Sequence, residues 1–345
     1  MVYRKNLLLA FAILGIAAIA AASAFHRHIA NVRAARLEHA VPPAPYFPPG
    51  SIWTNDISHA PVDPESDAII SWLADAGGWG DGNKMQVDWN IRVLQANPST
   101  PRVRFIPGAG FCSADSDVPD LIPLPPGGGM EGSNGYQCNV DASDCHLIVV
   151  DRSQGKLYEA WGASEADSKV TATFMAVWDL NRVYPPSGRG DQCTSADAAG
   201  FPVAQLLFNA DELATGSINH AIRFILPNPR IRARVFVHPA SHAGAPRGPD
   251  TAPPMGARFR LKASFDMSKL TPAAQVVARA MQKYGMFLSD GGDIALTAQS
   301  DRDTKAKYAD VDFNTHSLWP LQVTDFEVLD LGTPIRLTDD CVRNR

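Results

Sequence analysis

The chain has 345 residues, only 19% of them charged, and a net charge of −5. No basic stripe of the kind that neutralises phosphates runs through it, which argues against nucleic acid as a partner. Proline (27) and glycine (26) are both abundant, which favours a loop-rich β architecture over a helical bundle.

The first segment carries Arg4 and Lys5, then an unbroken apolar run over residues 7–25 that ends in Ala22-Ser23-Ala24. A basic flank, an apolar stretch and a small-x-small triplet make a signal peptide. The same run is long enough to act as an uncut membrane anchor, which takes about 20 residues. Residues 26–50 then read as a short basic helix (Arg27, Arg33, Arg36) and a stiff spacer, Pro42-Pro43-Ala44-Pro45-Tyr46-Phe47-Pro48-Pro49. Residues 51–345 are expected to form a single β-rich extracytoplasmic domain, either secreted, periplasmic or held at the membrane by its N-terminal segment. That compartment argues against nucleotide-driven chemistry, and no cofactor is expected. All five cysteines follow the apolar run, so disulfides are the default. Cys138 and Cys145 flank a turn-forming stretch and are expected to pair. Cys112 has Cys193 or Cys341 as a partner, which leaves one thiol over.

Four of the seven tryptophans, Trp53, Trp72, Trp79 and Trp89, crowd into residues 51–100. A helix is expected over residues 64–74, with Ile69, Ile70 and Leu73 on one face and Gly77-Gly78 as its stop. Residues 107–145 are rich in Gly, Pro, Asp and Ser and read as a long loop tied down by cysteine; such loops are often functional. Strands are expected over 146–150 and 156–161, joined by the turn Asp151-Arg152-Ser153-Gln154-Gly155, and again over 171–180, 218–226, 233–238 and 257–265. Asp211-Glu212-Leu213 suggests one helical turn. A longer helix is well signalled by Thr271 as N-cap, Pro272 at its first position and Gly285 just past its end. After it, residues 286–288 and 294–298 read as a hairpin around Ser289-Asp290-Gly291-Gly292-Asp293, and a last strand falls near 325–329. The expected fold is mainly β, in antiparallel sheets resembling a sandwich or jelly roll, with a few packed helices.

No Gly-x-Ser-x-Gly, His-Glu-x-x-His or phosphate-binding loop is present, so the candidates are looser clusters. Thr194-Ser195-Ala196-Asp197 reads as a capped turn or as backbone held near a ligand. His220 shares a strand face with Ile222 and Phe224, with Arg223 on the opposite face, and is a candidate acid or base. His242 follows a His-Pro strand end at a sheet rim. His220, His238 and His242 lack a carboxylate or cysteine at ligand spacing, so no metal is expected. Arg258, Arg260 and Lys262 alternate onto one face of a strand, either opposite acidic partners or toward an anionic glycan. Tyr284 and Asp290 complete the set: His220, Tyr284 and Asp290 as catalytic candidates, and Arg223, Arg258, Arg260, Lys262, His242 and Trp161 as substrate-binding candidates.

The ordered strings Ser195-Ala196-Asp197-Ala198-Ala199-Gly200, His220-Ala221-x-Arg223-Phe224, Pro253-Pro254-Met255-Gly256-x-Arg258-x-Arg260-Leu261-Lys262 and Tyr284-Gly285-Met286 resemble those of a group of secreted bacterial proteins. The likeness covers roughly residues 145–300. It implies one continuous exported domain and carries no activity with it. The expected function is that of an exported carbohydrate-active protein working on a polysaccharide, an anionic one if the arginines face it. A lyase would use Arg258 and Arg260 against a uronate and His220 or Tyr284 as base. A hydrolase would use two carboxylates, such as Glu159 and Asp290. The alternative is a non-catalytic, membrane-anchored envelope protein that binds a glycan or a partner.

Overall fold

The computed structural model describes residues 44–344. The signal-or-anchor segment and the basic helix lie outside the described residues. Among those described, no helix is long and apolar enough to cross a membrane. The body is mainly β with a few helices, as the composition predicts.

Sixteen strands are described: β1 (Val87–Ile91), β2 (Val93–Gln95), β3 (Arg102–Pro107), β4 (Leu121–Pro123), β5 (Leu147–Asp151), β6 (Lys156–Trp161), β7 (Ser164–Ala166), β8 (Lys169–Ala172), β9 (Phe174–Asp179), β10 (Ile222–Leu226), β11 (Val235–Phe236), β12 (Arg258–Leu261), β13 (Met286–Gly291), β14 (Leu296–Gln299), β15 (Phe326–Val328) and β16 (Ile335–Arg336). The main sheet runs β1-β14-β10-β13-β12-β15. Two four-stranded sheets run β2-β5-β6-β9 and β4-β3-β8-β7, and β11 pairs β16. The sheets are mixed rather than antiparallel: β1 with β14, β10 with β13, β2 with β5 and β3 with β8 are parallel. Short loops had pointed to hairpins, but these parallel neighbours meet through long excursions elsewhere in the fold, which local spacing does not reveal.

The run at β5 is apolar throughout because the strand is covered on both sides. Its Ile148 and Val150 face the large core, while Leu147 and Val149 face a smaller one. That smaller core also takes Met175 of β9 and Phe105, Ile122 and Val170 of the outer sheet. The β2-β5-β6-β9 sheet is therefore a middle layer. The expected strand over 171–180 divides at Thr173, where the chain leaves the outer sheet for the middle one. Gly162 makes the matching turn after β6 at φ 61°, and a side chain there would sit 2.7 Å from the Thr173 hydroxyl. Glycine is the residue that permits both.

The expected helices form as Ser66–Asp75, Ala210–Thr215 and Pro272–Lys283. Thr271 caps the last, as its spacing predicts. It packs on β12, while Ser66–Asp75 packs on β15. Residues 286–298 do not form a hairpin. β10 lies between β13 and β14, so the turn carries the chain over a neighbouring strand instead of back along its own. Trp53 and Trp79 are buried, and Trp72 and Trp89 pack against the same core. The tryptophan-rich front therefore supplies core rings rather than a stacking surface for sugars. Ala44, Tyr46 and Phe47 also belong to this core, so the end of the expected spacer is part of the body. Two disulfides form, Cys138–Cys145 as expected and Cys193–Cys341, which leaves Cys112 as the free, exposed thiol. They fit an oxidising, extracytoplasmic compartment.

Candidate active site

Arg223 is placed by the centre of the main sheet. On β10 it is flanked by β13 and β14, and its side chain is only 3% exposed. Its Nε donates to Ser289 Oγ at 3.0 Å and its Nη1 to Thr297 Oγ1 at 2.9 Å. Its Nη2 reaches Asp197 Oδ2 at 2.8 Å and Asp290 Oδ2 at 3.5 Å. Ser289 and Asp290 are sequence neighbours and would point to opposite faces of a regular strand. They both reach Arg223 because the β10–β13 register slips here: Phe224 faces Leu288, but Ile225 faces Asp290. Ser289 is the extra residue of a β-bulge, a device that re-aims side chains.

Asp197 comes from the Thr194–Gly200 turn. Its backbone N–H donates to Ser195 Oγ at 3.0 Å, and its Oδ1 accepts from Ala199 N at 3.1 Å. The turn closes tightly on the body: at Gly200 (φ 83°) a Cβ would lie 2.1 Å from Ser241 Oγ. The Asp197 side chain is fully buried. Burial pushes its pKa up to about 7; Arg223 opposes the shift and the neighbouring Asp290 adds to it. Asp290 keeps 32% of its side chain open. Its pKa is also raised by burial, against the pull of Arg223, the Gly291 N–H and His146, and the charge of Asp144 pushes it further up.

His146 stands just before β5. Its Nδ1 lies 2.5 Å from Glu131 Oε2 and its Nε2 lies 2.9 Å from Ala196 O. Both partners are acceptors, so both ring nitrogens carry protons and the ring is an imidazolium. Burial disfavours that charge, but Glu131 outweighs it and lifts the pKa to about 9. For Glu131 burial likewise opposes ionisation, and the His146 charge wins and lowers its pKa.

Asp144, His146, Asp197 and Asp290 line one cavity of about 360 Å³, with Trp161 at its wall. Trp161 ends β6, is 39% exposed, and donates its indole N–H to Asp144 Oδ1 at 3.1 Å. The Cys138–Cys145 bridge fixes the residue between Asp144 and His146. No protein-family model matches this chain, and no curated protein or solved structure matches it either.

Of the sequence candidates, the cavity gathers Asp290 and Trp161, with Arg223 directly beneath. Arg223 acts as an internal counter-ion, since its donors are taken up by protein oxygens. His242 lies beside the site, its Nδ1 accepting from Gly244 N at 2.9 Å. The others lie elsewhere. His220 is fully buried, with Nδ1 2.7 Å from Ala221 O and Nε2 3.1 Å from Glu212 Oε1. Burial opposes its charge, Glu212 restores it, and the pKa is raised. It is a core ion pair with no opening to a substrate. Tyr284 is buried and caps the Pro272–Lys283 helix. Arg260 binds Glu327 at 2.8 Å and the Ile57 and Ala60 carbonyls, and Lys262 donates to Thr324 O. Acidic and carbonyl partners opposite the strand thus take up these two cations. Arg258 lines a different pocket. Glu159 is buried and accepts N–H bonds from Val203, Ala204 and Trp178. His146, Glu131 and Asp144 were missed. The available signal was a charged residue opening an apolar strand run directly after a cysteine.

Proposed function

We propose that the protein is an exported glycan-cleaving enzyme, a glycoside hydrolase whose reacting groups are Asp290 and Asp144. One observation carries this reading: three carboxyl groups and an exposed tryptophan share a cavity, and the open one beside Arg223, Asp290, is held above its ordinary pKa. A raised carboxyl is what a general acid needs, because it must be protonated when the glycosidic oxygen leaves. Asp290 would deliver that proton. Asp144 would act at the anomeric carbon, either directly or through water, and water supplies the hydroxyl that ends up on the sugar. Trp161 would stack on a sugar ring, and its bond to Asp144 would hold that carboxylate in place. Asp197 and Arg223 are positioning residues, tuning Asp290 from behind.

A neutral glycan fits this cavity better than a uronate. Three carboxyl groups line it, and its two cations, His146 on the wall and Arg223 beneath, are already paired. The lyase alternative is less well supported, since the His146 imidazolium has no lone pair to accept a proton, His220 is sealed in the core, and Tyr284 is buried away from this cavity.

The test is a panel of neutral and uronate-containing polysaccharides, assayed for new reducing ends and for the ultraviolet absorbance of unsaturated products. New reducing ends without that absorbance, abolished by Asp290→Asn, are expected. An absorbance signal would favour elimination. Unchanged glycan affinity with no cleavage by either the native protein or Asp290→Asn would favour the non-catalytic binding protein.

A further inference from the structure

A second pocket, of about 250 Å³, lies apart from the candidate active site. Its wall is largely apolar, with Ile52, Ile57, Val237, Phe287 and Leu331 contributing. Arg258, the first residue of β12, enters it with its guanidinium over the Phe287 ring, 4.6 Å from the centroid; the exposed side chains of His238 and Asp330 also line it.

Arg258 differs from the most deeply buried arginines, although the half-buried Arg230 and Arg232 likewise donate to carbonyls. Arg92, Arg189, Arg223 and Arg260 each hold a carboxylate within 2.9 Å. The polar partners of Arg258 are carbonyls: Nε and Nη2 donate to Tyr284 O at 3.0 and 2.6 Å, and Nη2 also reaches Asn55 O at 3.3 Å. Among the described residues no carboxylate pairs with it. Burial alone acts on it, lowering its pKa to about 9, and it stays charged at neutral pH. A partly buried cation without a counter-charge carries a desolvation cost, and an anion that enters the pocket offsets it. The carbonyls fix the guanidinium through Nε and Nη2 and leave Nη1 to receive a ligand oxygen. A guanidinium held in place presents Nη1 to one carboxylate oxygen as a fixed, charged donor.

From this geometry we infer that the pocket is a binding site for a small monocarboxylate with an apolar body, its carboxylate on Arg258 and its apolar part against Ile52, Ile57 and Phe287. A sugar acid fits poorly, because its hydroxyls would meet aliphatic walls. The site stands independently of the hydrolase reading, since the two cavities share no lining residue.

The test uses calorimetric titration of the full chain with benzoate and octanoate, and with benzyl alcohol as the uncharged control. Binding of at least one acid, at least tenfold tighter than the alcohol and weakened by salt, is expected. Arg258→Met should remove that preference, while Asp290→Asn should leave it intact. Because Arg258 also anchors the Tyr284 carbonyl, a second variant, Ile52→Trp, fills the pocket without touching the guanidinium and should abolish acid binding. No acid binding at millimolar concentration, equal binding of acid and alcohol, or acid binding unaffected by Ile52→Trp would each overturn the assignment.

Discussion

Asp290 and Arg223 share a hydrogen bond but carry different burdens. Asp290 is open to the cavity, so Asp290→Asn should lower kcat by about 10²- to 10⁴-fold, the usual worth of a positioned acid, while leaving the unfolding midpoint nearly unchanged. Full activity in that variant would remove Asp290 from the chemistry. Arg223 is sealed beneath it, and Arg223→Met strands Asp197 in the interior. A loss of about 3–5 kcal/mol, read by urea denaturation, is expected. His146 gives a pH signature. Its folded pKa of about 9 lies above the ordinary histidine value, so its stabilisation is complete below roughly pH 6.5 and is lost as pH rises through 9. Asp197, also raised, loses stability as pH climbs, but from about 4 through 7. Thermal melts of native protein and His146→Gln between pH 6 and 10 separate the two: the variant should lose the decline toward pH 9 and keep any below 7. A variant curve parallel to the native one would mean that His146 is not charged in the fold.

At the level of elements, the bulge at Ser289 and the corner at Gly162 and Thr173 position most of the site, and neither was legible in the sequence. Asp290-Gly291-Gly292-Asp293 looks like a hairpin turn because Asp-Gly chemistry is local, whereas the insertion of β10 between β13 and β14 depends on residues far away in the chain. What local chemistry does determine was legible: the capped Pro272–Lys283 helix, the β5–β6 hairpin and the Cys138–Cys145 bridge. The two disulfides should differ in effect. Cys138–Cys145 closes a separation of 7 and Cys193–Cys341 one of 148. In the chain-entropy view, replacing the first pair with serine costs about 2–3 kcal/mol and the second about 5. The first should nevertheless harm turnover more, because it frees the segment bearing Asp144 and His146. Equal losses of activity at matched stability would argue against that positioning role.

Across the molecule, the class of fold followed from composition, but the site did not, because its charges come from residues 131, 144, 146, 197, 223 and 290 and meet only once the middle layer docks on the main sheet. The arginine row at 258–262 drew attention as a single face, yet its members serve different neighbours: one opens on a pocket, one grips Glu327 and one lies at the surface. Trp79 lies at the heart of the large core, ringed by Phe224, Phe259 and Phe326, with its indole N–H on Leu321 O at 3.0 Å. Trp79→Ala should cost about 3–5 kcal/mol and unfold both layers in one transition. Two separated calorimetric peaks would show that the layers fold apart. Tyr46 and Phe47 have a further consequence. The Tyr46 and Phe47 amides bond Gln205 Oε1, and the Phe47 ring meets Trp178 and Tyr184 edge-on. Any mechanical pull arriving from upstream is therefore delivered to the ring cluster against β9. There the load would be shared by interlocked aromatic rings and would not first peel a strand from the edge of a sheet.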